Sequence, residues 1–158
     1  MHDIHLLHHG PRAIGLSLFG LGPNLQPTRG LRKLKLLLDE HSFWASNRSY
    51  DQLRRLLFGS SVVISAWYGK RMVGFGRATG DGIFRAVLWD VVVPSDLHGK
   101  GIGKKVVKAL LNSKKLKRVE RIYLMTTNSA DFYHQLEFKN VKTQKLLMRR
   151  LKDNTGSN

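Results

Sequence analysis

One segment constrains the fold of this chain more than any other. The run Phe84 to Val93 (FRAVLWDVVV) is rich in β-branched and aromatic residues, and Pro94 ends it. A turn follows that carries glycines at 99, 101 and 103. Beyond it the period changes: Val106, Val107, Leu110 and Leu111 share one helical face, with Lys104, Lys105 and Lys108 opposite. A buried strand thus enters a glycine turn that opens a basic helix. The first amides of such a helix have no internal acceptor and point along its positive end, and the glycines remove the Cβ atoms that would hold a ligand off. This arrangement suits a phosphate. The alternative is a tight turn with solvated lysines, and the surrounding pattern argues against it.

The rest of the chain builds a sheet around that segment. Ser61 to Tyr68 and Arg71 to Thr79 read as strands joined by a turn at Gly69-Lys70, with a second turn at Gly80-Asp81-Gly82. Leu31, Leu34, Leu37 and Leu38 predict a helix over 30–42, and Ser49-Tyr50-Asp51-Gln52 opens another that carries Leu53, Leu56 and Leu57. Ala13 to Phe19 reads as an edge strand. Arg121 to Thr126 reads as a buried strand, Ser129 to Leu136 as a short helix, and Lys145 to Arg150 as a last strand. The expected architecture is a single-domain α/β (α+β) fold: a mixed, mostly antiparallel sheet with helices on both faces. Residues 29–150 would form the domain, after a partly flexible N-terminal segment (1–28) and before a disordered tail (151–158).

Composition narrows the function. The chain has 158 residues and no Cys, which excludes a disulfide framework, thiolate catalysis and a Cys-bound zinc. It has no apolar run of membrane-spanning length and no secretory leader, which points to a soluble intracellular domain. The net charge is +16, and from Leu97 onward 15 basic residues face 4 acidic ones, 15 − 4 = +11. Such a field draws anions, from phosphorylated cofactors to polymers. No aromatic RNA-binding signature or recognition helix accompanies it, so a nucleic-acid partner is not expected, although a basic nucleic-acid- or ribosome-binding module is a competing reading. His2, His5, His8 and His9 invite a metal, but a Gly/Pro-flanked start suits an unstructured terminus better, and no metal is expected.

The loop fits neither common phosphate motif. A Walker loop needs Gly-Lys followed by Ser or Thr, and a dinucleotide fold would not have antiparallel strands before its glycines. WDVVVPSDLHGKGIGKKVVKALL instead resembles motif A of the Gcn5-related N-acetyltransferases, Gln/Arg-x-x-Gly-x-Gly/Ala after a strand. His98 falls at the Gln/Arg position and Gly101 and Gly103 at the small positions. NSADFYHQLEF (128–138) is similar to the family's motif B, with Glu137 where a Gly is usual. The runs FWASNRSYDQL, SAWYGKRMVGFGRATGDGIFRAVLWDVVV and YLMTTNSADFY look like the cyanobacterial and plastid branch related to chloroplast serotonin N-acetyltransferases.

That resemblance implies an acetyl-CoA-dependent N-acetyltransferase acting in a ternary complex, on an arylalkylamine such as serotonin or tryptamine. Protein lysine or N-terminal acetylation is the alternative. It places the diphosphate on His98, Gly99, Lys100, Gly101, Ile102, Gly103 and Lys104. Backbone amides of Val91, Val92 and Val93 would meet the pantetheine and thioester carbonyl, with Asn128 and Tyr133 beside the thioester. Tyr133 is the candidate general acid, since a phenol stays protonated at neutral pH. Asp90, an acid in an apolar strand, is either a general base or a structural carboxylate paired with Arg77 or Arg85. Phe43, Trp44, Trp89 and Trp67 are candidates for an aromatic acceptor pocket. Family members commonly dimerise, and the cytoplasm or plastid stroma is the implied compartment.

Overall fold

A computed structural model describes residues 3–151; His2 and the tail from Lys152 lie outside the described residues. Its sheet has five strands in chain order: β1 (Ile4–His8), β2 (Val62–Tyr68), β3 (Arg71–Gly80), β4 (Arg85–Val92) and β5 (Arg121–Tyr123). The first four are antiparallel to their neighbours, and β5 runs parallel to β4. The chain divides into two compact units, the first ending at Met125 and the second beginning at Thr126.

In the first unit, helices cover both faces of the sheet. Helices α1 (Ile14–Phe19), α2 (Gly30–His41) and α3 (Tyr50–Phe58) close one face, where Leu16, Leu34, Leu38, Leu53 and Leu57 pack with Val63, Trp67, Phe75 and Val92 of the strands. Helix α4 (Ile102–Leu111) closes the other. It lies so near the sheet that a Cβ on Gly76 would stand 2.9 Å from Val106, and one on Gly74 3.0 Å from Ile102. Side chains alternate across strands, so adjacent residues on β2 and β3 serve opposite helical layers: Phe75 faces α1–α3, and Gly74 and Gly76 face α4. Helix α3 begins with a reciprocal cap: Gln52 N–H donates to Ser49 Oγ at 3.1 Å, and Ser49 N–H to Gln52 Oε1 at 2.8 Å.

Three expectations fail locally. Residues 14–19 form a helix rather than an edge strand. Ala13, Leu16 and Ser17 are buried at helical spacing, and Gly20, at φ +59°, ends the turn by donating to the Leu16 carbonyl at 3.2 Å. The true edge strand is Ile4–His8, in the segment expected to be partly flexible and among the histidines taken as unstructured. Its partner β2 lies about sixty residues away (Ile4 opposite Tyr68), so no local signal announces it. Among the described residues no His/Asp/Glu group is arranged to hold a metal. Finally, Lys145–Arg150 carries no strand: Leu146, Leu147 and Met148 stand exposed, and among the described residues the second unit holds no strand. The expected strand at 121–126 shortens to three residues.

The histidine after β1 has a consequence for stability. His9 N–H donates to the Val63 carbonyl at 3.0 Å, and its Nε2 lies 2.8 Å from Ser65 Oγ, which also accepts from Trp67 Nε1 at 2.7 Å. Burial, with a smaller push from His8, lowers its pKa from 6.5 to about 4. The unfolded chain therefore binds the extra proton first as pH falls. Stability should be unaffected by this group above about pH 6.5, then decline by up to about 1.4 kcal/mol per pH unit down to about pH 4. Urea unfolding at pH 7, 6 and 5 checks this: His9→Gln should flatten the trend, and equal slopes in both proteins would contradict it.

Candidate active site

Strand β4 changes character at its middle. Its pairing with β5 covers only Arg85 to Val87, opposite Arg121 to Tyr123. From Leu88 to Val92 that side of β4 has no strand partner among the described residues. On the other side, Trp89 faces Arg77 and Val92 faces Phe75, so two residues of β4, Asp90 and Val91, oppose Gly76 alone. This is a β-bulge, and Asp90 sits in it at φ +53°, a left-handed conformation that L residues seldom take. Val91, Val92 and Val93 follow on the strand edge that β5 leaves open, where their backbone amides are expected to serve.

The carboxylate at the bulge is tightly held. Arg48 donates to Asp90 from Nη1 (2.8 Å to Oδ2) and Nη2 (3.2 Å to Oδ1), while Arg77 Nε donates to Oδ2 at 2.8 Å. The Asp90 side chain is 3% exposed. Burial pushes its pKa up, but the hydrogen bonds and charges of Arg48 and Arg77 outweigh that, and the net shift is downward. Of the two partners weighed from sequence, Arg77 is found there. Arg85 instead lies 3.6 Å from Glu120. Arg48 had no sequence signal, because it comes from the loop between α2 and α3 and its reach depends on how that loop folds.

After β4 the chain turns at Pro94 and is braced from two sides. Ser95 N–H donates to His41 Nδ1 at 3.2 Å, and Arg71 donates to both oxygens of Asp96 at 3.1 and 3.0 Å. His98 Nε2 lies 2.9 Å from the Val93 carbonyl and must donate to it. Its Nε2 proton therefore ties the loop back to the strand end, whereas the motif comparison gave it a ligand-facing role. Gly99 and Gly101 take φ +78° and +79°, and a Cβ on either would meet no protein atom within 4 Å. Gly101 is the N-cap of α4. The amides of Gly99, Gly101, Ile102, Gly103 and Lys104 find no backbone acceptor, and Lys100 and Lys104 are exposed beside them. Open space in front of free amides, at the positive end of a ten-residue helix, is chemistry for a diphosphate.

The aromatic candidates separate. Trp67 is fully buried in the core and is withdrawn from the acceptor pocket. Phe43 and Trp44 are exposed and meet edge to face at 5.1 Å, on the loop that supplies Arg48. Trp89 is half-buried, donates from Nε1 to Thr79 Oγ1 at 2.8 Å and lies over the Arg77 guanidinium. A groove of about 410 Å³ borders the end of β4 at Pro94, between Leu37, His41 and Met72, and residues 99–104 do not line it.

In the second unit, α5 (Ala130–His134) carries Tyr133 between Phe132 and Phe138, each edge-on to its ring at 4.9 and 5.8 Å. Burial raises its pKa, so the phenol holds its proton throughout the neutral range. Asn128 is exposed just before the helix, and its Oδ1 accepts from Ser129 Oγ at 3.3 Å. Glu137 takes φ +68°, the conformation a glycine would have supplied.

Comparison with known proteins gives a consistent picture. A model of the acetyltransferase (GNAT) family matches residues 32–138. An uncharacterized N-acetyltransferase ycf52 of Pyropia yezoensis is 34% identical over 96 residues, 58% of this chain and 55% of that protein. The chloroplastic serotonin N-acetyltransferase 2 of Oryza sativa subsp. japonica is 38% identical over 96 residues, 58% of this chain and 48% of that one. The chain spans about half the length of these curated relatives. Among solved structures, a putative GNAT-family acetyltransferase from Xanthomonas campestris pv. campestris superposes with a TM-score of 0.71 at 20% identity, covering 96% of this chain and 95% of that one.

Proposed function

The chain belongs to the GNAT family of acetyltransferases, and from that premise we propose that it moves the acetyl group of acetyl-CoA to a primary amine, with an arylalkylamine such as serotonin or tryptamine as acceptor. The observation that carries this reading is the set of free amides at Gly99 and from Gly101 to Lys104, beside the bulged, half-open strand β4. Those amides and Lys100 and Lys104 would hold the diphosphate. The amides of Val91 to Val93 would hold the pantetheine and polarise the thioester carbonyl, acting through the backbone.

The neutral amine attacks the carbonyl carbon, the C–S bond breaks, and the departing sulfur takes the Tyr133 proton. The proton that nitrogen loses once the C–N bond has formed goes to solvent, and solvent returns one to the Tyr133 phenolate, so that acid and amide are both neutral at the end. Asp90 is poorly suited to take the nitrogen's proton, since both its oxygens are engaged by guanidinium groups that stabilise the ionised form. The arrangement favours the structural role for Asp90 over the general base.

An aromatic acceptor is supported by the exposed Phe43–Trp44 pair and by the similarity to the rice serotonin N-acetyltransferase. A protein acceptor is the second reading, since a histone acetyltransferase TAP1 of Glycine max is 34% identical over 71 residues. The chloroplastic relatives support a plastid setting, and no helix among the described residues is long and apolar enough to cross a membrane. Purified protein with acetyl-CoA and a panel of serotonin, tryptamine, polyamines and a lysine peptide, read by free thiol, tests the proposal. Turnover of the indole amines is expected. Turnover of the peptide alone would move the acceptor to protein, and none at all would overturn the reading.

A further inference from the structure

The loop that presents Phe43 and Trp44 is a built object. Ser42 Oγ accepts from Ala45 N–H at 3.1 Å, and Asp39 Oδ1 accepts from Asn47 N–H at 2.8 Å, with Asn47 at φ +62°. Lys35 Nζ donates both to Asp39 Oδ2 and to the Arg48 carbonyl, each at 2.9 Å. Ser49 then caps α3. These bonds shape residues 42–49 but fasten them only to their own two helices. Ala45 of the loop is buried in the core with Val63, Phe75 and Val92, and the polar contact that ties the loop to the sheet is the Arg48 side chain, which reaches the carboxylate of Asp90 at the bulge.

Three segments meet at that carboxylate: the loop through Arg48, β3 through Arg77, and β4 through Asp90 itself. Arg48 is 26% exposed, Arg77 13% and Asp90 3%, so the pairs are shielded from water, unlike the exposed pairs that contribute little. The residue held in this way occupies the left-handed position of the bulge, immediately before Val91. What fixes the bulge therefore also fixes the loop bearing the exposed aromatics.

We infer that Arg48 is a positioning residue: through Asp90 it locks the Phe43–Trp44 loop onto the bulged strand, and so sets how well an amine acceptor is held. The kinetic part of this inference rests on the acetyl-transfer reading; the mechanical part does not. Removing Arg48 leaves Asp90 paired with Arg77, so no buried charge is stranded and Arg48→Met should fold. Losing a two-pronged charged hydrogen bond should raise KM for the amine about 10- to 100-fold, with kcat changed less than about threefold. The Kd for coenzyme A and the shape of the pH–rate profile should be unchanged. Arg48→Lys, which keeps charge but only one contact, should fall between. Asp90→Asn should also raise KM, and the double variant should cost less than the sum of the singles.

Hydrogen exchange supplies a readout that needs no activity. In Arg48→Met the amides of Ala45 and Asn47 should exchange about tenfold faster or more, while those of β2 and β3 keep their protection. A variant with normal KM and normal loop exchange would overturn the inference, as would a lowered melting temperature with both left intact. Loss of kcat and of the acidic limb of the pH profile in Asp90→Asn, with Arg48→Met normal, would instead make Asp90 a base and also overturn it. If the native protein turns over no amine, the acetyl-transfer reading fails, and faster or unchanged exchange still decides for or against the lock.

Discussion

Replacing Tyr133 by Phe is expected to lower kcat by roughly a hundred- to ten-thousandfold, the range of a lost proton donor. Thioester aminolysis releases a thiolate, and a group that delivers a proton as the C–S bond lengthens removes that charge as it forms. Tyr133 has the right resting state, because burial keeps its hydroxyl protonated well beyond neutral pH. Its ring is pinned by Phe132 and Phe138, contacts that Phe at 133 would preserve. Folding and coenzyme affinity should therefore be unchanged, and the loss should appear in single-turnover kinetics as slow chemistry. A variant with the native single-turnover rate would remove Tyr133 from the mechanism.

The second large effect is expected at Gly101. Valine there would have to adopt φ near +79°, where a β-branched residue is strained by about 1–3 kcal/mol, and its methyls would enter the space in front of the free amides. Affinity for coenzyme A should fall roughly a hundredfold or more, as strain adds to lost amide contacts. Gly69→Val is the matched control. Gly69 also has positive φ and open space around its missing Cβ, but it lies in the β2–β3 turn. Both variants should lose stability, and only Gly101→Val should lose binding. Equal coenzyme affinity in the two would mean that the glycine loop is a turn and nothing more.

The elements that were legible from sequence are those whose signal is local. Helices α2, α3 and α4 follow from leucine and valine spacing, and the β2–β3–β4 meander from β-branched runs separated by glycine turns. The glycine turn before α4 was legible for the same reason, since glycines at 99 and 101 mark a backbone that only they adopt freely. What stayed hidden depends on distant partners. IHLLH becomes β1 only because β2 offers an edge, and KLLMRR, with equal strand character, stays irregular. IGLSLF is short enough to suit either period, and burial of Ala13, Leu16 and Ser17 decides for helix.

The candidate site divides in the same way. Asp90 stands out in sequence as an acid in an apolar strand, but neither its bulge nor its clamp does. An aspartate at positive φ inside a strand follows from the register of β3 against β4, and Arg48 lies 42 residues away in a loop. Without those facts a base and a structural anion look alike. Glu137 shows the reverse: the family pattern asks for glycine, and the backbone takes the glycine conformation with a glutamate in place.

Calorimetric titration of coenzyme A into the native protein at neutral pH tests the central claim most directly. One saturable site is expected, weakened by added salt as charge on Lys100 and Lys104 is screened, and abolished or nearly so in Gly101→Val. Absence of binding heat at several temperatures and at saturating ligand would contradict the claim that these amides exist to hold a diphosphate.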